Sequence, residues 1–269
     1  MDIEIRDLHF TYPGGVQALV GVSLQIGPGE QVAIVGQNGA GKTTLVKHLN
    51  GLLKPTSGVV RVGDWDTREH PVAQLAHRVG YVFQNPDEQL FSKNVETEVA
   101  FGPRNLGFDG EQVRRLVQDA LGMTGLSDKT ETNPYDLSPT WRKMVALASV
   151  IAMDTPIVVF DEPTTGQDAI SIARIANVIK VLHERGKTLI TISHDIDFCA
   201  ENFARLIAMA QGKVLLDGKT NEVLDQDEGL ATTYVDPPQL TRLGKRLGFR
   251  RAVRNQEEFL AMLKDHAAS

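Results

Sequence analysis

The sequence predicts an α/β protein with a mainly parallel sheet, interrupted by an inserted helical block and followed by a helical C-terminal extension. Three observations predict it. Apolar strand segments alternate with amphipathic helices on both sides of the block. Between residues 85 and 153 the pattern turns mostly helical. After about residue 224 it changes again, to a basic stretch and a short amphipathic helix. The expected divisions are residues 1–84 with 154–225 for the core, 85–153 for the helical block and 226–269 for the extension.

Each element has a local reason. IEIRDLHFTYPGG alternates and ends in a turn, so it reads as a strand. GVSLQIGPGEQVAIVG reads as two more, broken at the Gly-Pro-Gly of residues 27–29. TTLVKHLNGLL has apolar helix spacing closed by glycine. VVRVGDWDT reads as a strand, and RVGYVFQ as a buried one. FGPRNLGFDG reads as a loop, between helical stretches that include EQVRRLVQDALGMTG and WRKMVALASVIAM. PIVVFDE and KTLITISH are strands on either side of the helix DAISIARIANVIKVLHERG, and RLIAMAQGKVLLDG is a closing hairpin. The tail DPPQLTRLGKRLGFRRAVR is basic, and NQEEFLAMLKDH is a short amphipathic helix.

Composition narrows the function classes. The chain has 269 residues, 42% hydrophobic and 23% charged, with a formal net charge of -6. A mildly acidic chain argues against a dedicated nucleic-acid binder. The single cysteine, Cys199, excludes a disulfide framework and fits a reducing cytosol. The charged, alternating N-terminus does not read as a signal peptide. No apolar run approaches the ~20 residues of a membrane-spanning helix, so any membrane role is expected to be peripheral.

The chemistry concentrates at the ends of strands. GQNGAGKT, residues 36–43, follows the strand QVAIV and opens a helix, which is the context a phosphate loop requires. Gly36, Asn38, Gly39, Ala40, Gly41, Lys42, Thr43 and Thr44 form the expected nucleotide-binding set. Backbone N–H groups there can point at phosphate oxygens, aided by the helix N-terminus. Lys42 is suited to the terminal phosphates and the Thr43 hydroxyl to Mg2+. At the end of PIVVF, Asp161 is suited to the Mg2+ shell and Glu162 to general-base activation of water. Two adjacent acids can simply cap a strand, but beside a phosphate loop the catalytic reading prevails. Gln84 and His194 also end strands, where an amide can meet Mg2+ or water and an imidazole the γ-phosphate. Tyr12 is placed to stack on adenine, against its plainer reading as a half-buried strand tyrosine.

With these residues in this order, the chain resembles the ATP-binding cassette (ABC) ATPases over residues 3 to about 224. The resemblance implies a P-loop core of RecA type with a mixed sheet and an antiparallel β subdomain. It implies ATP hydrolysis with Mg2+, Gln84 as the Q-loop glutamine, Asp161-Glu162 as the Walker B pair, Asp168 as the D-loop aspartate and His194 as the switch histidine. FQNPDEQLFSKNVETEVAFGPRNLG and the later DPPQLTRLGKRLG are similar to the ATPase subunits of energy-coupling-factor transporters and cobalt or nickel importers. That likeness implies uptake of a vitamin or transition-metal ion, a second ATPase, a membrane coupling protein, a substrate-binding membrane protein and a place on the cytoplasmic face of the membrane. Asp87, Glu88 and Gln89 are then suited to basic residues of a partner helix beside Gln84, or form a solvated helix start.

One stretch departs from the family. LSPTWRK lies where an LSGGQ-type signature belongs; Ser138 remains, but Pro139, Thr140 and Trp141 replace the usual residues. In this family each ATP lies between one chain's phosphate loop and its mate's signature. Pro139 removes a backbone donor, Thr140 adds a Cβ and Trp141 is expected to put bulk beside the phosphate. Gln167 stands where the D-loop usually has leucine. These changes weaken the site the chain lends to its mate, not its own, which points to an asymmetric heterodimer rather than a homodimer. Two other readings compete: a nucleotide-gated regulatory subunit that hydrolyses little, and a soluble cassette of DNA repair or translation, which usually carries a coiled-coil insertion or a second cassette.

Overall fold

In the computed structural model, residues 1–249 and 251–267 are described. Arg250, Ala268 and Ser269, part of the expected C-terminal extension, lie outside the described residues. The strands in chain order are Ile3–Thr11 (β1), Gln17–Ile26 (β2), Gln31–Val35 (β3), Ser57–Val62 (β4), Trp65–Asp66 (β5), Val79–Val82 (β6), Ile157–Asp161 (β7), Thr188–Ile192 (β8), Arg205–Ala210 (β9) and Lys213–Lys219 (β10). They form an antiparallel sheet of order β2-β1-β4-β5 and a mixed sheet of order β10-β9-β3-β8-β7-β6. In the mixed sheet only the β9–β10 hairpin is antiparallel. β7 and β8 are buried at every position, as strands covered on both faces must be.

Period-two alternation splits the strands between two cores. Val158 and Phe160 of β7, with Ala33 and Val35 of β3, face one cluster. Ile157 and Val159, with Val32 and Ile34, face the other, which fills the space between the sheets. The helices are Lys42–Lys47 (α1), Val72–Leu75 (α2), Val95–Asn105 (α3), Gly110–Thr124 (α4), Pro139–Ile151 (α5), Ala169–Glu184 (α6), Ile196–Asn202 (α7), Thr220–Leu224 (α8), Asp227–Thr232 (α9), Gln239–Arg246 (α10) and Gln256–Ala267 (α11). α3, α4 and α5 pack on one another and cover the first core, with Val99, Val117 and Leu147 between them. α10 and α11 enclose a small cluster of Phe249, Val253 and Phe259. Among the described residues no helix is long and apolar enough to cross a membrane.

Three local expectations are corrected. The helix read over residues 43–53 ends at Lys47, where His48 and Leu49 N–H groups bond three residues back, to Leu45 O at 3.2 Å and Val46 O at 3.0 Å. The strand read as VVRVGDWDT folds at Gly63, whose φ is 60°, into β4 and β5. Residues 101–105, read as loop, continue α3 with Pro103 inside it. The proline forfeits one hydrogen bond near the helix end, while Val95, Val99 and Ala100 seat the helix in the core.

His48 closes α1 in full burial. Its Nδ1 lies 2.7 Å from Thr44 O, its ring meets Phe10 edge-on at 4.9 Å, and Nε2 finds no hydrogen-bond partner among the described residues. Burial holds its pKa below the ordinary 6.5. The unfolded chain therefore takes up this proton first as pH falls, so the contribution is whole above 6.5 and drains away below it. Denaturant midpoints measured from pH 7.5 to 5 should fall with acidity, and His48→Phe should flatten that slope; an unchanged slope would remove His48 from the acid sensitivity.

Candidate active site

Parallel pairing brings the C-terminal ends of β3, β6, β7 and β8 to one edge, where open α/β sheets bind ligands. A cleft of about 740 Å³ lies there. Its lining includes Tyr12, Gly36, Asn38, Gly39, Ala40, Gly41, Lys42, Thr43, Thr44, Gln84, Glu162 and His194. These residues, named from sequence alone, thus share one cavity. Asp161 sits just behind, with Oδ1 3.4 Å from Thr43 Oγ1.

The phosphate loop is shaped by its packing. A Cβ on Gly36, at φ 147°, would stand 2.2 Å from Met209 O, and one on Gly41, at φ 100°, 2.6 Å from Ala18 O. Gly39 has open space, so there glycine serves only the backbone turn at φ 83°. The Lys42 ammonium rests on Gly36 O at 2.7 Å and Gln37 O at 3.1 Å, and burial lowers its pKa. Tyr12, partly exposed, is propped edge-on by Phe10 at 4.8 Å, and its hydroxyl meets Thr44 Oγ1 at 3.0 Å.

The adjacent acids Asp161 and Glu162 sit in different surroundings. Glu162 is buried and holds a left-handed backbone at φ 49°, which for a non-glycine costs on the order of 1–3 kcal/mol and clusters at active sites. Its Oε2 lies 2.7 Å from His194 Nδ1 and 3.3 Å from Thr165 Oγ1. His194 is thereby a partner that orients Glu162, leaving Nε2 to the cleft it lines. Asp161 accepts a 2.7 Å bond from the Tyr81 hydroxyl at Oδ2. Burial pushes the Asp161 carboxyl above its ordinary range, the Tyr81 bond pulls it back and the Glu162 charge pushes it up. Asp161 Oδ1 and Thr43 Oγ1 are hard oxygen donors side by side, and the Gln84 amide lines the same cleft, a chemistry that fits Mg2+ better than a soft metal.

Sequence reasoning missed several contributors. Lys143, in LSPTWRK, is buried and donates to Gln84 O at 2.6 Å and to Glu162 O at 3.0 Å. Burial lowers its pKa to about 8, against the pull of Asp161 and Glu162. One ammonium on α5 thus clasps the backbone at the ends of two active-site strands. A lysine inside an apolar helical run carried that signal. Tyr81 carried none, because its reach to Asp161 depends on strand register. Tyr234, Val235 and Asp236, from the expected extension, also line the cleft. Cys199, at 0% exposure on α7, is held protonated by burial and by the charges of Asp195 and Glu162.

The remaining expected residues stand apart from this cleft. Ser138 caps α5, accepting the Trp141 N–H at 3.5 Å, with Pro139 in the first turn. Trp141 does not project as free bulk. Its ring packs on the helical core, with Lys129 Nζ 4.8 Å and Arg174 Cζ 5.2 Å from its centroid. Thr140 lies one step into the same first turn of α5. Asp168 caps α6 through the Ser171 N–H at 2.8 Å. Asp87 pairs with Arg142 at 2.8 Å and Glu88 is exposed. Gln89 is not a free surface group: it accepts from Phe83 N–H and donates to Ala146 O at 2.7 Å and Ser149 Oγ at 2.9 Å.

Comparison with known proteins agrees with this geometry. The family model described as ABC transporter matches residues 19–165. An energy-coupling factor transporter ATP-binding protein, EcfA, of Methanoculleus marisnigri is 42% identical over 90% of this chain and 87% of its own. A relative from Caldanaerobacter subterraneus is 39% identical over 91% of this chain, which spans only 43% of that longer protein. The solved structure of cbiO1 from Clostridium perfringens, part of the ABC transporter complex cbiONQ, has a TM-score of 0.76 at 32% identity, covering 91% of this chain and 98% of that one.

Glu162→Gln keeps the length of the side chain and an oxygen for His194 while removing the carboxylate charge. Phosphate release from ATP should fall by about 10²-fold or more, with equilibrium nucleotide binding retained. Retained hydrolysis would strip Glu162 of its role.

Proposed function

This chain belongs to the ABC transporter family of ATPases, and from that premise we propose that it powers an importer of the energy-coupling-factor type, in an asymmetric pair with a second cassette. The observation that carries the reading is an imbalance. Residues suited to the chain's own half of an ATP site gather in one cleft, while the loop it would lend a mate begins with Pro139 and Thr140.

In the proposed mechanism, backbone N–H groups of residues 38–43 and Lys42 bind the phosphates, and Tyr12 receives the base. Lys42 exchanges its loop carbonyls for phosphate oxygens. Thr43, Asp161 and Gln84 would hold Mg2+, which when bound offsets charge on the β- and γ-phosphates. Glu162 takes a proton from water, and His194 fixes the carboxylate that does so. Lys143 keeps the Gln84 and Glu162 backbone in step with α5, the helix that carries the signature.

A second cavity supports a membrane partner. An apolar groove of about 250 Å³ runs between the core and the helical block, beside Gln84. Phe91 and Phe101, 59% and 48% exposed, meet edge-on at 4.7 Å on its wall. Exposed apolar area of this kind suits an inserted helix, and exposed Glu88 beside it suits a basic residue there. The chain would sit peripherally on the cytoplasmic face through this contact, with transport of a vitamin or transition-metal ion as the output. Ile170, 73% exposed beside Gln167 and Asp168, supports a face-to-face second cassette.

The competing reading is a nucleotide-gated subunit that scarcely hydrolyses. Pro139 and Thr140 favour it; the Glu162–His194 pair opposes it. Single-turnover hydrolysis separates them. Paired with a cassette bearing an intact signature, this chain should consume about one ATP per pair in the fast phase. A fully active homodimer would overturn the asymmetric reading.

The Trp141 packing refines a second test. Pro139→Gly with Thr140→Gly should raise turnover at the site this chain lends. Trp141→Gln alone should instead lower stability, since each cation–π contact it loses is worth about 0.5–1 kcal/mol. Thermal melts and turnover of the pair check both.

A further inference from the structure

Tyr81 belongs to two sites at once. Its ring lines the apolar groove and touches Phe83, 4.9 Å away centroid to centroid, another residue of the groove wall. Its hydroxyl leaves the groove and donates to Asp161 Oδ2 at 2.7 Å. The other oxygen of that carboxylate, Oδ1, faces Thr43 Oγ1. One rigid side chain, 6% exposed, therefore spans from a surface groove to an oxygen of the phosphate site.

The chemistry fixes the direction of this bond. An ionised carboxylate only accepts, so the phenol O–H is the donor. A phenol has one O–H, and here it is spent on Asp161. Strand pairing holds both ends: β6 and β7 run parallel, with Tyr81 opposite Val159 and Val82 opposite Phe160. With one carboxylate oxygen tied, rotation of Asp161 is stopped and Oδ1 is presented to Thr43. Partners of a metal-holding carboxylate commonly set its orientation and affinity in this way.

We propose that Tyr81 is a positioning residue that transmits occupancy of the groove by an apolar helix of the membrane partner to the metal-holding oxygen of Asp161. The inference rests on the function proposed above, for both the groove and Asp161. An apolar side chain pressed against Phe83 and Tyr81 moves the ring, and the ring carries its hydroxyl with it. Because the carboxylate is tied at one oxygen, a small ring displacement turns the other. Groove and metal site are thus joined by one residue.

The test is Tyr81→Phe, which removes one oxygen and keeps the groove wall. Mn2+ serves as the probe, its free signal followed by electron paramagnetic resonance with ADP present. The variant should bind Mn2+ about 10-fold more weakly, with ADP affinity in EDTA unchanged. Assembly with the membrane partner should shift the Mn2+ affinity of the wild type and leave the variant within about 2-fold. Unchanged Mn2+ binding in Tyr81→Phe would overturn the proposal, as would a wild type indifferent to its partner. Wild-type chain that binds no nucleotide in EDTA would instead overturn the function itself.

Discussion

Parallel pairing of β8 with both β3 and β7 sets the phosphate loop, the acid pair and His194 at one level of the sheet. Ile192 stands opposite Ile34 on one side and Asp161 on the other. At that level the three chains leave the sheet together, β3 into the phosphate loop, β7 into Glu162 and β8 into Ser193 and His194. The Glu162 N–H donates to Ile192 O at 2.9 Å and the Ser193 N–H to Ile34 O at 3.3 Å, so the pairing continues one step past the strands. A one-residue slip would exchange the faces of β7, taking Phe160 out of one core and moving Asp161 away from Thr43. The two cores lock that register, and the left-handed backbone of Glu162 is tolerated because both flanks are fixed.

The sequence disclosed this much because the phosphate loop and the strand ends are written in contiguous residues. GQNGAGKT and FDE need only their own neighbours to be understood, and residues as distant as Tyr12 and His194 proved to share the same cleft. What escaped were contacts set by packing between elements. Lys143 meets Gln84 and Glu162 across three elements, Tyr81 reaches Asp161 across two strands, and Gln89 turns inward to Ser149. A proline misled at α3, since burial of Val95 and Val99 outweighs one absent hydrogen bond. Tyr234 and Asp236 escaped because the chain returns to the cleft only after α9.

The altered signature reads differently once its side chains are placed. Pro139 and Ser138 start α5 as any first turn would, so the helix itself is undamaged. Trp141 is turned against Arg174 of α6 and Lys129, tying the helical block to the core. Lys143, two residues on, makes the same connection by hydrogen bonds. The departure from the family pattern is therefore confined to what Pro139 and Thr140 present outwards. Its local packing is sound, and under the proposed pairing the impairment would fall on the site completed by the mate.

The burial of Cys199 has a practical side. The only thiol in the chain is sealed on α7 and kept protonated, so thiol reagents meet no reactive partner on the native surface. A cysteine introduced at an exposed position, such as Ile170, would then carry a spectroscopic label or crosslinker alone. The native background is already blank, and distances between two cassettes become measurable without first removing a natural residue.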